Sequence, residues 1–226
     1  MQRSKTDPCI ADLVRLRTAV STARRAADFR QRFWSDVDPY EAVLVVLADS
    51  GHANGTPEND SILKYGSVRG FFLMLANPRV LEGEAMRANM MAYQSPQTSS
   101  ACRSTLASEA SHLFSAVEAG DWLVVVLAEC LEGAIDFQNW DKIVEARRKV
   151  YVTDAQSVYD YLQKESNSTS SDKRMAIEGA LLRETVRRPG AFVRWIEMAK
   201  HCRYLLRRLE LAKQLCFNTS VMVCFA

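Results

Sequence analysis

The sequence predicts an α/β fold built on a five-stranded mixed sheet, three antiparallel strands plus two parallel additions, with helices on both faces. Three observations carry that expectation. The run Val43-Leu44-Val45-Val46-Leu47-Ala48 is short, rich in Val and closed by Asp49-Ser50-Gly51, which suits a strand covered on both faces better than a helix. Two more apolar stretches follow closely enough in sequence to return as an antiparallel meander. Val150-Tyr151-Val152-Thr153-Asp154 then repeats the first pattern, a β-branched and aromatic strand that ends on Asp. If the two Asp-terminated strands lie side by side and parallel, both carboxylates emerge at the same rim of the sheet, where sites form. Taken alone, Asp49 before Ser-Gly also reads as the start of a turn.

At 226 residues and 48% hydrophobic content the chain can bury a proper core, most simply one domain with appendages. A net charge of +2 is too mild to identify nucleic acid as the partner, although basic residues cluster at both ends. The six cysteines include no C-x-x-C pair, so neither a zinc cage nor a disulfide framework is indicated and a reducing compartment fits. No apolar stretch is long enough to span a bilayer, and Met1-Gln2-Arg3-Ser4-Lys5 has no apolar core behind it like that of a signal peptide. The expected location is therefore cytoplasmic or nuclear, not secreted, with no membrane partner. There is no internal repeat.

Along the chain, Leu13, Leu16, Val20, Ala23 and Ala27 recur at helical spacing over residues 10–33, interleaved with Arg15, Arg17, Arg24, Arg25, Arg30 and Arg32. This reads as a basic amphipathic helix. Its arginines form either a solvated face or a row beside a phosphate backbone. Asp36-Val37-Asp38-Pro39 stops the helix, because Pro disfavours the helical conformation in the residue before it. The expected divisions are 1–38, a basic helical connection; 39–197, the main domain; and 198–226, a divergent C-terminal helix and tail.

Within the main domain, residues 51–65 are polar with Gly55 and Pro57 and read as a loop. Residues 66–76 and 85–93 read as the second and third strands, with a turn at Asn77-Pro78. The longest helical signal starts at Ser104 or Thr105 as N-cap, carries Leu106, Leu113, Val117, Val124, Leu127 and Leu131 on one stripe, and ends near Gly133. Glu109 falls inside that stripe, three residues after Leu106 and four before Leu113, so its carboxylate turns toward the sheet unless the stripe is shifted. An inward carboxylate is costly without a metal, an arginine or a wet cleft to compensate it. A helical stretch follows Asp154 to about Gln163, residues 165–171 form a polar loop, and residues 172–186 are helical. After the turn Arg187-Arg188-Pro189-Gly190, residues 191–196 form the last expected strand. A basic helix, roughly 200–215, completes the pattern, and the tail from Cys216 carries no signal.

Asp49, Glu109 and Asp154 are hard oxygen ligands delivered by two strand ends and one helix, as Mg²⁺ or Mn²⁺ requires. Two such ions about 3.5 to 4 Å apart activate a water, clamp a phosphodiester and stabilise the leaving oxygen without a protein nucleophile. The chemistry indicated is phosphodiester hydrolysis.

At these residues the chain resembles the ribonuclease H domain at the C-terminal end of the polyprotein of copia-type retrotransposons. Ala48-Asp49-Ser50-Gly51-His52-Ala53-Asn54 looks like the family's first strand end, Arg103-Ser104-Thr105-Leu106-Ala107-Ser108-Glu109-Ala110 its helix acid, and Val152-Thr153-Asp154-Ala155-Gln156-Ser157-Val158-Tyr159-Asp160 its third acid. Val193-Arg194-Trp195-Ile196 is similar to its last strand, and residues 11–33 look like the segment joining the reverse transcriptase to this domain. The resemblance spans most of the chain. It implies a ribonuclease-H-like fold, Asp49, Glu109 and Asp154 as catalytic metal ligands, two Mg²⁺ or Mn²⁺ ions, an RNA·DNA hybrid whose RNA strand is hydrolysed, and the rest of a retrotransposon polyprotein as partner.

One departure matters. The family places a fourth Asp shortly after the last strand, whereas Glu197-Met198-Ala199-Lys200-His201-Cys202-Arg203 stands here, and no Asp follows Asp172. The expectation is binding of hybrid with slow cleavage or none, and the alternative is a catalytically inactive nucleic-acid-binding remnant. Asp49-Ser50-Gly51 also matches the Asp-Ser/Thr-Gly triplet of retroviral-type aspartic proteases, but that reading leaves Glu109 and Asp154 unexplained and does not accommodate a long helix. No polymerase or integrase motif is present.

Overall fold

The computed structural model describes residues 10–25, 33–51, 68–94, 104–164, 173–196 and 221–223. Residues 33–197 with 221–226 make one compact unit, and residues 1–32 with 198–220 make another.

The Val-rich run becomes β1, Val43–Gly51, the strand around which the first of these units is arranged. It continues past Asp49, so the carboxylate is carried by paired strand and not by a turn. β2 (Val68–Ala76) and β3 (Met86–Gln94) complete an antiparallel meander, joined by a 3-10 turn over Pro78–Glu82. β4 (Lys149–Thr153) runs parallel to β1 on its other side, and β5 (Ala191–Trp195) runs parallel to β4. These five strands are the mixed sheet of a ribonuclease-H-like fold, with the Asp49 strand next to the Asp154 strand. A sixth short strand, β6 (Val221–Val223), pairs antiparallel with β3 and extends the order to β5-β4-β1-β2-β3-β6. Residues 191–196 are therefore not the last strand; the tail's three paired residues were too few to signal one.

Both faces of β1 are buried. Leu44, Val46 and Ala48 join the main core, while Val43, Val45 and Leu47, which alternate with them, are also removed from solvent. The main core is closed by α2 (Thr105–Glu132), which packs on β1, β2 and β4, and by α3 (Trp140–Ala146), α4 (Gln156–Gln163) and α5 (Lys173–Val186). Ser104 is the N-cap of α2, its hydroxyl accepting from the Ala107 N–H at 3.1 Å, and Gly133 ends the helix with φ of 85°. Midway along α2, Gly120 lets the helix approach the sheet: a Cβ there would stand 3.0 Å from Val46 Cγ2 and 3.3 Å from Leu44 Cδ2. α3 had no sequence expectation, being only seven residues long.

In the other unit, α1 spans Ile10–Arg25, and Leu13, Leu16 and Val20 on its apolar stripe are largely exposed. The expected end of that helix, the loop at 52–65 with the motif residues His52, Ala53 and Asn54, Arg103, the loop at 165–171, and everything from Glu197 through the expected helix at 200–215 lie outside the described residues. No described helix is long and apolar enough to cross a membrane.

Candidate metal centre

The parallel pairing of β1 with β4 places Ala48 opposite Thr153, so the next residue on each strand is an aspartate. Asp49 and Asp154 thus leave the same rim of the sheet as register neighbours. Glu109, on the second turn of α2, reaches that rim from above. One carboxylate oxygen from each of the three lies within 4.8 Å of the others, and among the described residues this is the one cluster of three or more such ligands. The separation is well inside the roughly 10 Å beyond which a shared pair of ions cannot be bridged, since such ions sit about 4 Å apart.

Glu109 is only 9% exposed, and Asp49 and Asp154 are half-buried. Burial disfavours the charged form of each, and the three acids repel one another. The Glu109 carboxyl is pushed up to about 7, first by burial and then by Asp154 and Asp49; hydrogen bonds from the Ser50 hydroxyl and N–H oppose the shift. Asp154 is raised to about 6 by burial and by Asp49, and Asp49 is raised by burial against a hydrogen bond from the Ser50 N–H. Asp154 Oδ1 is buried with no hydrogen-bond partner. Among the described residues, no Arg or Lys forms an ion pair with any of the three. Three converging carboxylates, one with an orphaned buried oxygen, are a donor set that fits a hard divalent cation.

Several residues that support the acids had no role assigned to them from the sequence. The hydroxyls of Ser50 and Ser108 lie 3.4 Å apart, linking the exit of β1 to the residue before Glu109. The Trp195 indole N–H donates to the Asp154 carbonyl at 3.0 Å, and the Ile196 N–H donates to the Thr153 carbonyl at 3.1 Å, so β5 holds the exit of β4. Farther along α2, buried Asp121 accepts from Lys149 Nζ at 3.2 Å, fixing the helix to the start of β4. Asp121 stands four residues after Val117 and three before Val124, on the inward side of α2, a spacing from which its burial was readable.

No family model matches the chain, and no curated protein does. Among solved structures it is similar to a foamy viral protease-reverse transcriptase in complex with RNA/DNA hybrid, at 10% identity and a TM-score of 0.45 over 84% of this chain, and spans 22% of that longer chain. It is also similar to LC9-RNase H1, a type 1 RNase H with the type 2 active-site motif, at 16% identity and a TM-score of 0.33, over 81% of this chain and 77% of that one. The strand order and directions define the fold independently of these likenesses.

Proposed function

We propose that this chain is a ribonuclease-H-like nuclease domain that takes an RNA·DNA hybrid and hydrolyses its RNA strand in the presence of Mg²⁺ or Mn²⁺. The observation that carries the reading is the convergence of Asp49, Glu109 and Asp154 within 4.8 Å at the rim formed by two neighbouring parallel strands. The aspartic-protease reading has no support beyond its triplet, since a 28-residue α2 and a parallel β1–β4 pair do not belong in an all-β protease.

Asp49, Glu109 and Asp154 would hold the metal. When bound, divalent ions activate water and stabilise the charge that develops on the phosphodiester and its leaving oxygen. The chain's own work is to keep three mutually repelling carboxylates converged: β1 and β4 by their register, α2 by its close approach at Gly120, Ser50 by donating to Glu109, and Trp195 by holding the Asp154 main chain.

The motifs at Asp49, Glu109 and Asp154 support a copia-type retrotransposon origin, with the domain working as one part of a polyprotein. The lack of any Asp after Asp172 supports weak turnover, because three carboxylates leave a second ion with few protein ligands. Glu197 is the nearest acid in sequence, and Lys200, His201 and Arg203 beyond it suit phosphate contacts better than a cation. The test is to place Asp, one position at a time, along residues 198–206 and to measure hybrid binding and Mg²⁺-dependent cleavage together. Rescue at one position with binding unchanged supports the reading. Full cleavage by the unmodified chain shows that three acids suffice, and binding with no cleavage by any variant favours the inactive binding module.

A further inference from the structure

We propose that the outer edge of β5 docks an extended, acidic peptide segment of a protein partner, which adds to the sheet as a further strand. β5 ends the sheet, and among the described residues only β4 pairs with it. The hydrogen bonds to β4 set which backbone groups remain. The Gly190 carbonyl accepts from the Lys149 N–H at 2.8 Å, and the Ile196 N–H donates to the Thr153 carbonyl at 3.1 Å, so even-numbered residues address β4. Val193, in the odd set, turns both its N–H and its C=O outward.

A groove of about 790 Å³ follows that edge, lined by Val193 and flanked by Tyr159, Leu162 and Phe192, with Arg187 and Arg194 beside them. Consecutive residues 191–194 all line it, so the groove runs along the strand itself. Both arginines are exposed, no carboxylate lines the groove, and neither guanidinium forms an ion pair among the described residues. An occupant that brings carboxylates and apolar side chains in alternation satisfies the charges, the apolar walls and the backbone together. A DNA backbone does not: it offers hydrogen-bond acceptors alone and brings no donor to the outward Val193 carbonyl.

The test is fluorescence anisotropy with the full chain and three short labelled peptides in which Val alternates with Glu, Lys or Ser, alongside a labelled single-stranded DNA. The expected result is saturable binding of the Glu peptide alone among the three, with amide shifts at Val193 and Trp195 in NMR. Arg187→Glu with Arg194→Glu is expected to weaken it by about tenfold or more and to favour the Lys peptide. Val193→Pro removes the outward N–H without touching the β4 ladder and is expected to weaken binding in the same way; the charge-reversed variant decides the matter if this one fails to fold. Absence of saturable Glu-peptide binding, indifference to charge reversal, or tighter binding of the DNA that the same reversal abolishes would overturn the proposal. None of these outcomes depends on nuclease activity.

Discussion

Ser50 on β1 and Ser108 on α2 face one another with their hydroxyl oxygens 3.4 Å apart, and Ser50 also donates to the Glu109 carboxylate. The contact ties the helix that delivers one acid to the strand that delivers another. Ser50→Ala removes a donor to a buried carboxylate, which typically costs about 1 to 3 kcal/mol. We expect a several-fold weaker Mn²⁺ affinity by isothermal titration calorimetry, with recovery in Ser50→Thr. Unchanged affinity in Ser50→Ala would show that Glu109 is held by packing alone.

Trp195→Phe keeps an aromatic ring at the end of β5 but loses the N–H that reaches the Asp154 carbonyl. The residue is 38% exposed, so little apolar burial is at stake. The expected stability loss is within about 1 kcal/mol in urea unfolding, with a larger proportional loss of Mn²⁺ binding as the β4 exit loosens.

The metal-free protein should lose part of its stability as pH rises. Glu109 titrates near 7 in the folded state against an ordinary 4.5, so the folded state holds its proton longer than the unfolded state does. This contribution is full below about 4.5, declines through the interval, and becomes a constant penalty above about 7. Asp154, raised to about 6 from 3.8, acts with the same sign over a lower window. Glu109→Gln is therefore expected to be more stable than the parent at pH 8 without metal, by on the order of 2 kcal/mol, with the gap closing toward pH 4.5. Thermal unfolding of the two proteins across that range checks it, and a gap that does not change with pH would contradict it.

Gly120→Val should be disruptive for a reason remote from the chemistry. The first added carbon already meets Val46 Cγ2 at 3.0 Å, and two more would press α2 away from β1. The expected loss is about 1 to 3 kcal/mol in urea unfolding. Because α2 carries Glu109, Mn²⁺ affinity should fall with it.

The sheet was readable because β1 and β4 are buried on both faces and the apolar run of each is followed by an acid, a pattern that few other arrangements of Val43–Asp49 and Val150–Asp154 explain. Glu109 was readable from its place between Leu106 and Leu113 on a long helix stripe. The supports were not. Ser50 and Ser108 are common residues whose meaning comes only from being brought within 3.4 Å across 58 positions of sequence. Trp195 acts through its neighbour's backbone, which leaves no trace in residue type. α3 is too short for helical periodicity to show, and β6 has only three residues.

The most direct test of the metal-centre reading is cleavage of the RNA strand of a labelled RNA·DNA hybrid in Mn²⁺, comparing the parent chain with Asp154→Asn and with an EDTA control. The reading predicts slow cleavage by the parent, none in EDTA, and none by Asp154→Asn while hybrid binding persists. Undiminished cleavage by Asp154→Asn, or cleavage that survives EDTA, would contradict it.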